Sequence, residues 1–265
     1  MTDDLNRREF FAAAGLTLAS ASLISNYGAV DPMTNDLSFL SKYPTSLIES
    51  AIYLLKGTHD GIALTLPGLC RQTKGSGTIA GRAVTSVFST DPDDERGRVD
   101  NRAYWEYAFS LPGSKIAVAQ DTSRVPGSGS TWGRQNAHIH KGLGCIGVLT
   151  NGGIRDIDQF DAVGFAVFSA SLTAGHGNPH FISYGKTVEI FGATFNSEDI
   201  VCIDEHGAVV IPKEMLPHIA EAADETLRRT NVVAEYAKRK DFTPKGLADV
   251  TRSLRPATPW KPSAK

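Results

Sequence analysis

The chain has 265 residues, 41% of them hydrophobic, with a net charge of −2 and a pI near 6.4. This length and composition allow a substantial core and suit one compact domain. The charge provides no basic field of the kind that nucleic acid or an anionic membrane needs, so we expect no partner of either kind and a small molecule instead.

The cysteines are odd in number and lack the spacing of a metal site; they are Cys70, Cys145 and Cys202. Cys145 and Cys202 lie in apolar runs that predict strands. Because unpaired cysteine is among the most buried residue types, we expect three buried free thiols.

The first thirty residues have the features of an export signal. A pair of arginines at 7–8 precedes two phenylalanines, and an apolar run follows over 12–24. The run contains Ala-Ser-Ala at 19–21, which matches the small-x-small pattern that signal peptidase accepts. The run is too short and too rich in Ala, Ser and Gly to be a good membrane span.

This order of features predicts a twin-arginine signal over 1–30, a linker over 31–40, and a periplasmic or secreted protein. An ordinary amphipathic helix is the alternative for the leader, and without a working leader the protein stays in the cytoplasm. The remaining boundaries are a domain over 41–245 and a tail over 246–265.

The first elements of this domain are a helix and a strand. Ser46 and Glu49 form a capping-box pattern before an apolar helical face, which predicts a helix over 46–56. The segment 77–89 is rich in Thr, Val, Ile and Phe, which predicts a strand pair or one strand after a turn.

A charged loop separates these from the next elements. The loop is predicted over 91–100, a short helix over 102–109, and a strand over 115–120 that ends at Asp121. Glycine, proline and serine then predict a second loop over 123–131.

The centre of the chain carries the candidate chemistry. A helix is predicted from Gly133 until Gly144, followed by a buried strand over 145–149. Asn-Gly-Gly at 151–153 predicts a sharp turn that leaves Arg155 and its neighbour Asp156 just beyond the carboxyl end of this strand. Open α/β sheets usually bind ligands at that edge.

The remaining segments complete a mixed fold. A strand is predicted over 163–172, and the segments 186–195 and 199–212 are β-rich, with a hairpin turn at 205–207. A long amphipathic helix over 213–239 follows. The mixed order of strands and helices predicts an α/β domain rather than a sandwich or a bundle.

Three groups near the centre suit the binding of an anion. A helix beginning at Gly133 presents unpaired N–H groups, and the Arg155 guanidinium can grip a carboxylate through two hydrogen bonds. The Asp156 carboxylate is a hard ligand suited to Mg²⁺ or Mn²⁺. The alternatives are ordinary: most glycine-to-helix turns bind nothing, and adjacent Arg and Asp usually form a solvated ion pair.

These segments resemble the RraA-like family, which includes 4-hydroxy-4-methyl-2-oxoglutarate aldolases with oxaloacetate decarboxylase activity and the regulators of ribonuclease activity A. The resemblance covers residues 41–245. It is carried by Trp132-Gly133-Arg134-Gln135-Asn136-Ala137, Leu143-Gly144-Cys145-Ile146-Gly147-Val148 and Asn151-Gly152-Gly153-Ile154-Arg155-Asp156, with Gly81-Arg82-Ala83-Val84-Thr85 and the 199–212 hairpin in support.

The resemblance implies a swivelling β/β/α-type single domain with a central β-sheet core flanked by helices. It implies that Arg155 and Asp156 are catalytic, and that Asp156 holds Mg²⁺, Mn²⁺ or another divalent cation. The implied substrate-binding residues are Gly133, Arg134, Gln135, Asn136 and Arg155.

The implied activity is metal-dependent cleavage or decarboxylation of a short 2-keto dicarboxylic acid to pyruvate, by a homotrimer or homohexamer. A guanidinium and a cation would stabilise the enolate that such cleavage leaves. The sequence departs from the family pattern at Asn151, where aspartate is common, and at Arg134, where characterised aldolases carry an acid. Thr230 falls where a neighbouring subunit contributes a glutamate.

Different roles are expected for the individual histidines. His138 and His140 are two residues apart and face different sides of a helix, so a structural or pocket-lining role is expected. His176 and His180 lie in a loop that can contact substrate, and His206 lies in a solvated turn.

Two other functions compete with the lyase. A non-catalytic binding or regulatory protein on the same scaffold is the first. Export argues against a ribonuclease partner, because ribonuclease regulation is cytoplasmic, and the intact Arg155-Asp156 pair favours catalysis. A zinc hydrolase is the second, and it lacks the H-x-x-x-H helix pair that such sites use.

Overall fold

An eight-stranded sheet forms the centre of the part of the chain that the computed structural model describes, residues 36–255 and 260–261. The predicted export signal lies outside these residues. The sheet strands are β1 (Cys70–Arg71), β2 (Ile79–Ser89), β3 (Lys115–Asp121), β4 (Cys145–Ile154), β5 (Ala166–Leu172), β6 (His180–Tyr184), β9 (Ile200–Asp204) and β10 (Gly207–Ile211). A separate hairpin consists of β7 (Val188–Ile190) and β8 (Ala193–Phe195).

Helices flank the sheet. They are α1 (Thr45–Lys56), α2 (Asn101–Ser110), α3 (Arg134–Gly142), α4 (Ile157–Ala162), α5 (Ile219–Ala237) and α6 (Pro244–Ser253), with 3₁₀ turns at Ser38–Lys42 and Lys213–His218. Within the described part of the chain, none of the helices has the length and apolarity needed to cross a membrane.

The strand order is β1-β5-β4-β3-β2-β9-β10, with β2, β3, β4 and β5 parallel and the outer strands antiparallel. The long strand β2 pairs with β9 along its first half and with β6 along its second half, so the sheet is nearly closed. This confirms the predicted α/β domain with a central sheet and flanking helices.

Strands β2, β3 and β4 are buried along most of their length and β5 over its first four residues, which is the rule when helices cover a parallel sheet. In β3 all residues except Gln120 are buried. One apolar cluster lies under α2 and α3 around Tyr104 and Trp132, and a second lies between α1, α5 and β9 around Ile52 and Ile219. The first cluster forms the floor beneath the predicted site.

Two local predictions were wrong. The capping box does not form, because α1 begins one residue earlier after Pro44, and Glu49 instead accepts a hydrogen bond from His59 Nδ1 at 2.8 Å. The sharp turn at 151–153 is absent, because β4 continues to Ile154 and absorbs the extra residues as a register irregularity between Thr150 and Gly153.

The cysteine prediction holds for two of the three thiols. Cys145 and Cys202 are buried in strands, and burial raises the pKa of both, that of Cys145 to about 12. Cys70 is exposed, because it lies on the outward face of the two-residue edge strand β1. The next residue of this strand, Arg71, lies on the other face and is half-buried.

The carboxyl-terminal segment is more helical than predicted. The long helix over 213–239 begins as a 3₁₀ turn that contains Pro217 and becomes α-helical at Ile219. Helix α6 lies mostly within the segment expected to be a tail, and its N-terminus is capped by the Thr243 side chain, which accepts from Gly246 N–H.

Candidate functional site

The carboxyl end of β4 and the N-terminus of α3 meet at one place. Trp132 pairs with Ile154 as a short parallel bridge, and the Arg155 N–H donates to the Trp132 carbonyl at 2.9 Å. Because Trp132 is fully buried and directly precedes Gly133, this pairing fixes the start of α3 beside Arg155. The two motifs that the sequence singled out are therefore neighbours in space.

Asp156 turns away from Arg155. Its backbone has the left-handed conformation, with φ of 52°, and its carboxylate Oδ2 accepts from the Arg134 N–H at 3.2 Å. Gly133 makes room for this carboxylate, since a Cβ at that position would lie 3.0 Å from Asp156 Oδ2. The alternative interpretation, a solvated ion pair between Arg155 and Asp156, is therefore wrong for the described residues.

The first turn of α3 offers further donors. Ala137 N–H makes the first helical bond, to the Gly133 carbonyl at 3.0 Å. Among the described residues, no hydrogen bond engages the N–H groups of Gln135 and Asn136. These two amides and the positive end of the α3 dipole are available to an anion.

Arg155 is half-buried, and its guanidinium makes no hydrogen bond or ion pair within the described part of the chain. A buried or half-buried charge without a partner costs free energy unless a ligand compensates it. The Arg155 guanidinium is therefore available to a ligand.

A cavity of about 310 Å³ is lined by every residue predicted for the site. Gly133, Arg134, Gln135 and Asn136 line it from α3, and Arg155 and Asp156 line it from the end of β4. Seven further lining residues were not predicted: Asn101, Trp105, Ser130, Thr131, Ile139, Pro179 and Phe181. Most of them lie on α2, on β6 or in loops that reach the cavity only through the tertiary fold, so no local spacing identifies them.

The charges around the cavity favour an anion. Its lining holds two guanidinium groups, from Arg134 and Arg155, and two imidazoles, from His176 and His180. Asp156 supplies the lining's one carboxylate among the described residues. A small molecule with carboxylate groups matches this balance, whereas a cationic or purely apolar ligand does not.

A divalent cation fits the site as a largely hydrated ion. No group of three or more His, Cys, Asp or Glu side chains that could hold a metal occurs in the described residues. Asp156 Oδ1 is without a hydrogen bond there, and Mg²⁺ commonly uses one carboxylate, substrate oxygens and several waters. Thr230, on α5, lines a different groove with Tyr53 and Arg229.

The histidines divide into structural and cavity-lining groups. His140 is buried, and its Nε2 lies 2.9 Å from the Tyr104 hydroxyl; burial lowers its pKa to about 4, so it is a neutral core residue. His138 is exposed and does not line the cavity, so the structural or pocket-lining role expected for it is not found. His206 is exposed, as expected. His176 and His180 line the cavity.

Asn151 has a structural role beside the site. Its Oδ1 accepts from the Asp121 N–H at 2.7 Å, and its Nδ2 donates to the Asp121 carbonyl at 2.9 Å. The Asp121 carboxylate in turn accepts from Ser123 and from the Gly127 N–H at 2.8 Å. Asn151 thus joins the carboxyl ends of β3 and β4 and anchors the loop after β3.

The family model described as RraA-like: Aldolase/RraA matches residues 57–210, more than half of the chain and the whole of this site. The chain belongs to the RraA-like family. The family includes both aldolase or decarboxylase enzymes and non-catalytic ribonuclease inhibitors.

Two curated proteins are similar to this RraA-like chain. The uncharacterized protein MJ0644 of Methanocaldococcus jannaschii is 29% identical over 134 residues, which cover 49% of this chain and 64% of that protein. Protein DlpA of Legionella pneumophila is 22% identical over 143 residues, covering 53% of this chain and 22% of that protein. The chain thus spans less than two thirds of the length of either relative.

Solved structures share the fold. An uncharacterized protein from Pseudomonas syringae pv. tomato has a TM-score of 0.63 and 20% identity, covering 88% of this chain and 100% of that one. RraAS2 of Streptomyces coelicolor, an unusual member of the RNase ES inhibitor RraA protein family, has a TM-score of 0.58 and 18% identity, covering 80% and 100%. At these identities the likeness establishes a common fold.

Proposed function

We propose that this RraA-like protein is a lyase that breaks a carbon–carbon bond of a short 2-keto dicarboxylic acid and releases pyruvate. The observation that carries the proposal is the unpaired Arg155 guanidinium, which lines the same cavity as the free amides at the start of α3. A fixed fork of donors beside a positive helix terminus is suited to the carboxylate and keto oxygens of a pyruvate unit.

The chain's own residues supply binding and charge stabilisation. In this proposal the N–H groups of Gln135 and Asn136 hold the substrate carboxylate, and Arg155 spans that carboxylate and the keto oxygen. Cleavage next to the keto group leaves an enolate, whose negative charge grows on the oxygen that Arg155 faces. Donors fixed in advance at that point lower the barrier, because they need no reorganisation as the charge develops.

Asp156 is the residue that would hold Mg²⁺ or Mn²⁺. When bound, such an ion supplies Lewis-acid stabilisation of the same enolate charge. The Arg134 N–H orients the Asp156 carboxylate, and Gly133 leaves the space that the carboxylate occupies.

Assembly and location belong to the same proposal. We expect a homotrimer or a homohexamer, as is typical of the family. The arginine pair, apolar run and small-residue pattern in residues 1–30 support export through the twin-arginine pathway to the periplasm or beyond.

The test is pyruvate release from oxaloacetate and from 4-hydroxy-4-methyl-2-oxoglutarate, with and without Mg²⁺ or Mn²⁺. We expect metal-dependent turnover by the wild type and a loss of about 100-fold or more in kcat/KM for Arg155→Ala, the scale found when a transition-state donor is removed. Arg155→Lys keeps the charge but not the planar fork, and we expect it to recover only part of the activity.

Arg252→Ala is the matched control, since Arg252 is an exposed arginine on α6 that pairs with Asp249 and lies outside the cavity. It should leave turnover unchanged. Equal turnover by Arg155→Ala and wild type would refute the role of Arg155. A wild type that releases pyruvate from neither acid would favour the other function of the family, a non-catalytic regulator.

A further inference from the structure

The loop between β5 and β6 crosses the edge of the cavity and carries His176. Two backbone hydrogen bonds fix it: Ser130 N–H donates to the His176 carbonyl at 3.2 Å, and Asn178 N–H donates to the Thr90 carbonyl at 2.8 Å. His176 is therefore held against the 123–131 loop at a defined position.

Glycines on both sides of His176 permit this close approach. A Cβ at Gly175 would collide with the Ser128 carbonyl oxygen, and a Cβ at Gly177 would lie 2.7 Å from the Thr90 carbonyl oxygen. Gly177 also has a φ of +66°, which side-chain-bearing residues rarely adopt. The chain thus has glycine at the two positions where any larger residue would move His176 away.

The His176 imidazole is oriented for proton exchange. Its Nδ1 lies 3.2 Å from the Gly177 carbonyl oxygen, which accepts the Nδ1–H of the neutral ring. Nε2 then carries the lone pair, and no hydrogen bond engages it among the described residues. Because the side chain is exposed and lines the cavity, Nε2 is open both to a ligand and to solvent.

The other ionisable groups of the lining are less suited to this task. The guanidinium groups of Arg134 and Arg155 are hydrogen-bond donors without an acceptor atom, and the Asp156 carboxylate is oriented by the Arg134 N–H. His180 is buried; its Nδ1 lies 2.8 Å from the Asn178 carbonyl, and its Nε2 faces Asp94 Oδ2 at 4.0 Å. His176 remains as the exposed imidazole of the site.

We propose that His176 transfers the proton in the lyase reaction, an inference that rests on the function proposed above. In retro-aldol cleavage Nε2 takes the proton of the C4 hydroxyl, and the C4 oxygen forms the C=O bond of the second product as the C3–C4 bond breaks. The electron pair of the broken bond forms the enolate of pyruvate. The imidazolium then returns that proton to C3, which gives pyruvate and restores the neutral ring.

Two reactions separate proton transfer from charge stabilisation. Exchange of the methyl protons of pyruvate in D₂O, followed by NMR, requires a base at C3. Decarboxylation of oxaloacetate forms the same enolate without removing a proton from the substrate. For His176→Ala and His176→Asn, with Mg²⁺ present, we expect exchange to fall by about 100-fold or more while decarboxylation changes by only a few fold.

Two additional measurements test the assignment of His176. Imidazole added to His176→Ala should restore part of the exchange, because the position is open to solvent. His138→Ala is the matched control, since His138 is an exposed histidine of α3 outside the cavity lining, and it should leave both reactions unchanged.

Each other outcome contradicts a specific claim. Undiminished exchange in the His176 variants, or equal losses of exchange and decarboxylation, would overturn the assignment of His176. So would a wild type that decarboxylates oxaloacetate without exchanging pyruvate protons, although the lyase itself would stand. A wild type with neither reaction would refute the proposed function.

Discussion

Arg155 and Asp156 are neighbours in sequence but do not form an ion pair in the structure. Adjacent residues of opposite charge normally neutralise each other, but here the left-handed backbone at Asp156 directs its carboxylate to the Arg134 N–H. Non-glycine residues in this conformation are uncommon and are often found where function requires them. The result is a guanidinium free to bind a ligand beside a carboxylate that is already oriented.

Gly133→Ala tests this arrangement. A methyl group 3.0 Å from Asp156 Oδ2 must displace the carboxylate, whereas the extended backbone at residue 133 accepts alanine without strain. We expect pyruvate release to fall by about 10-fold to 100-fold with little change in melting temperature. Enzyme assays and thermal unfolding measure the two effects.

Gly142→Ala is the control, because no atom lies within 4 Å of a Cβ added at that position of the same helix. It should leave activity unchanged. Full activity in Gly133→Ala would show that the position of the Asp156 carboxylate does not matter.

At the scale of elements, the site depends on how β3 and β4 end. The Asn151 side chain makes two hydrogen bonds to the main chain of Asp121, just beyond the last backbone pair of β3 and β4, Ala119 with Thr150. The amide thus extends the contact between these two strands beyond their backbone pairing. It keeps β4 extended as far as Ile154, which sets the position of Arg155.

Asn151→Ala removes both bonds and leaves the main-chain groups of Asp121 without their partner. We expect the free energy of unfolding in urea to fall by about 1 to 3 kcal/mol. Asn151→Asp keeps the acceptor for the Asp121 N–H but loses the donor to its carbonyl, so it should also be destabilised. Wild-type stability in both variants would refute the structural role of Asn151.

Periodicity and turn chemistry predicted much of the secondary structure. Helices α2 and α3 and strands β3, β9 and β10 lie where the sequence placed them, since their patterns are strong and local. The prediction of a turn at 151–153 was wrong because the conformation there depends on a contact between distant residues. The Asn151 side chain bonds to Asp121, 30 residues earlier in the sequence. The capping box was wrong because Glu49 bonds to His59 instead of to the helix backbone.

The site was predicted only in part, for a related reason. Arg155, Asp156 and the start of α3 fall in short motifs, and the structure brings them to one cavity. Asn101 and Phe181 reach the same cavity from α2 and β6. Residue spacing in the sequence does not predict that Asn101 and Phe181 line the cavity, because their positions depend on the order of strands in the sheet.

At the scale of the whole molecule, Asp204 joins α1 to the antiparallel side of the sheet. Its buried carboxylate accepts from the Thr45 N–H at 2.7 Å, and the Thr45 and Thr78 hydroxyls and the His206 N–H also donate to it. Burial acts to raise the pKa of Asp204, but these hydrogen bonds outweigh it and hold the pKa below the ordinary value of 3.8.

This shift predicts the pH dependence of stability. A carboxyl whose pKa is lower in the folded state stabilises the fold above its unfolded pKa, and this contribution is lost as the pH falls through the folded value. Asp204→Asn should therefore lower the free energy of unfolding by about 2 kcal/mol or more at neutral pH. The difference from wild type should shrink as the pH falls below 3.8. A difference that is constant with pH would contradict the charged state of Asp204.

The proposed function requires one anion site where the main sheet, α3 and two loops converge. The most direct test is a crystal structure of the protein grown with oxalate, which mimics the planar enolate of pyruvate. We expect one carboxylate within hydrogen-bond distance of the Arg155 guanidinium and of the N–H groups of Gln135 and Asn136. Oxalate bound elsewhere, with Arg155 in an ion pair with a protein carboxylate and no ligand at the start of α3, would contradict this anion site.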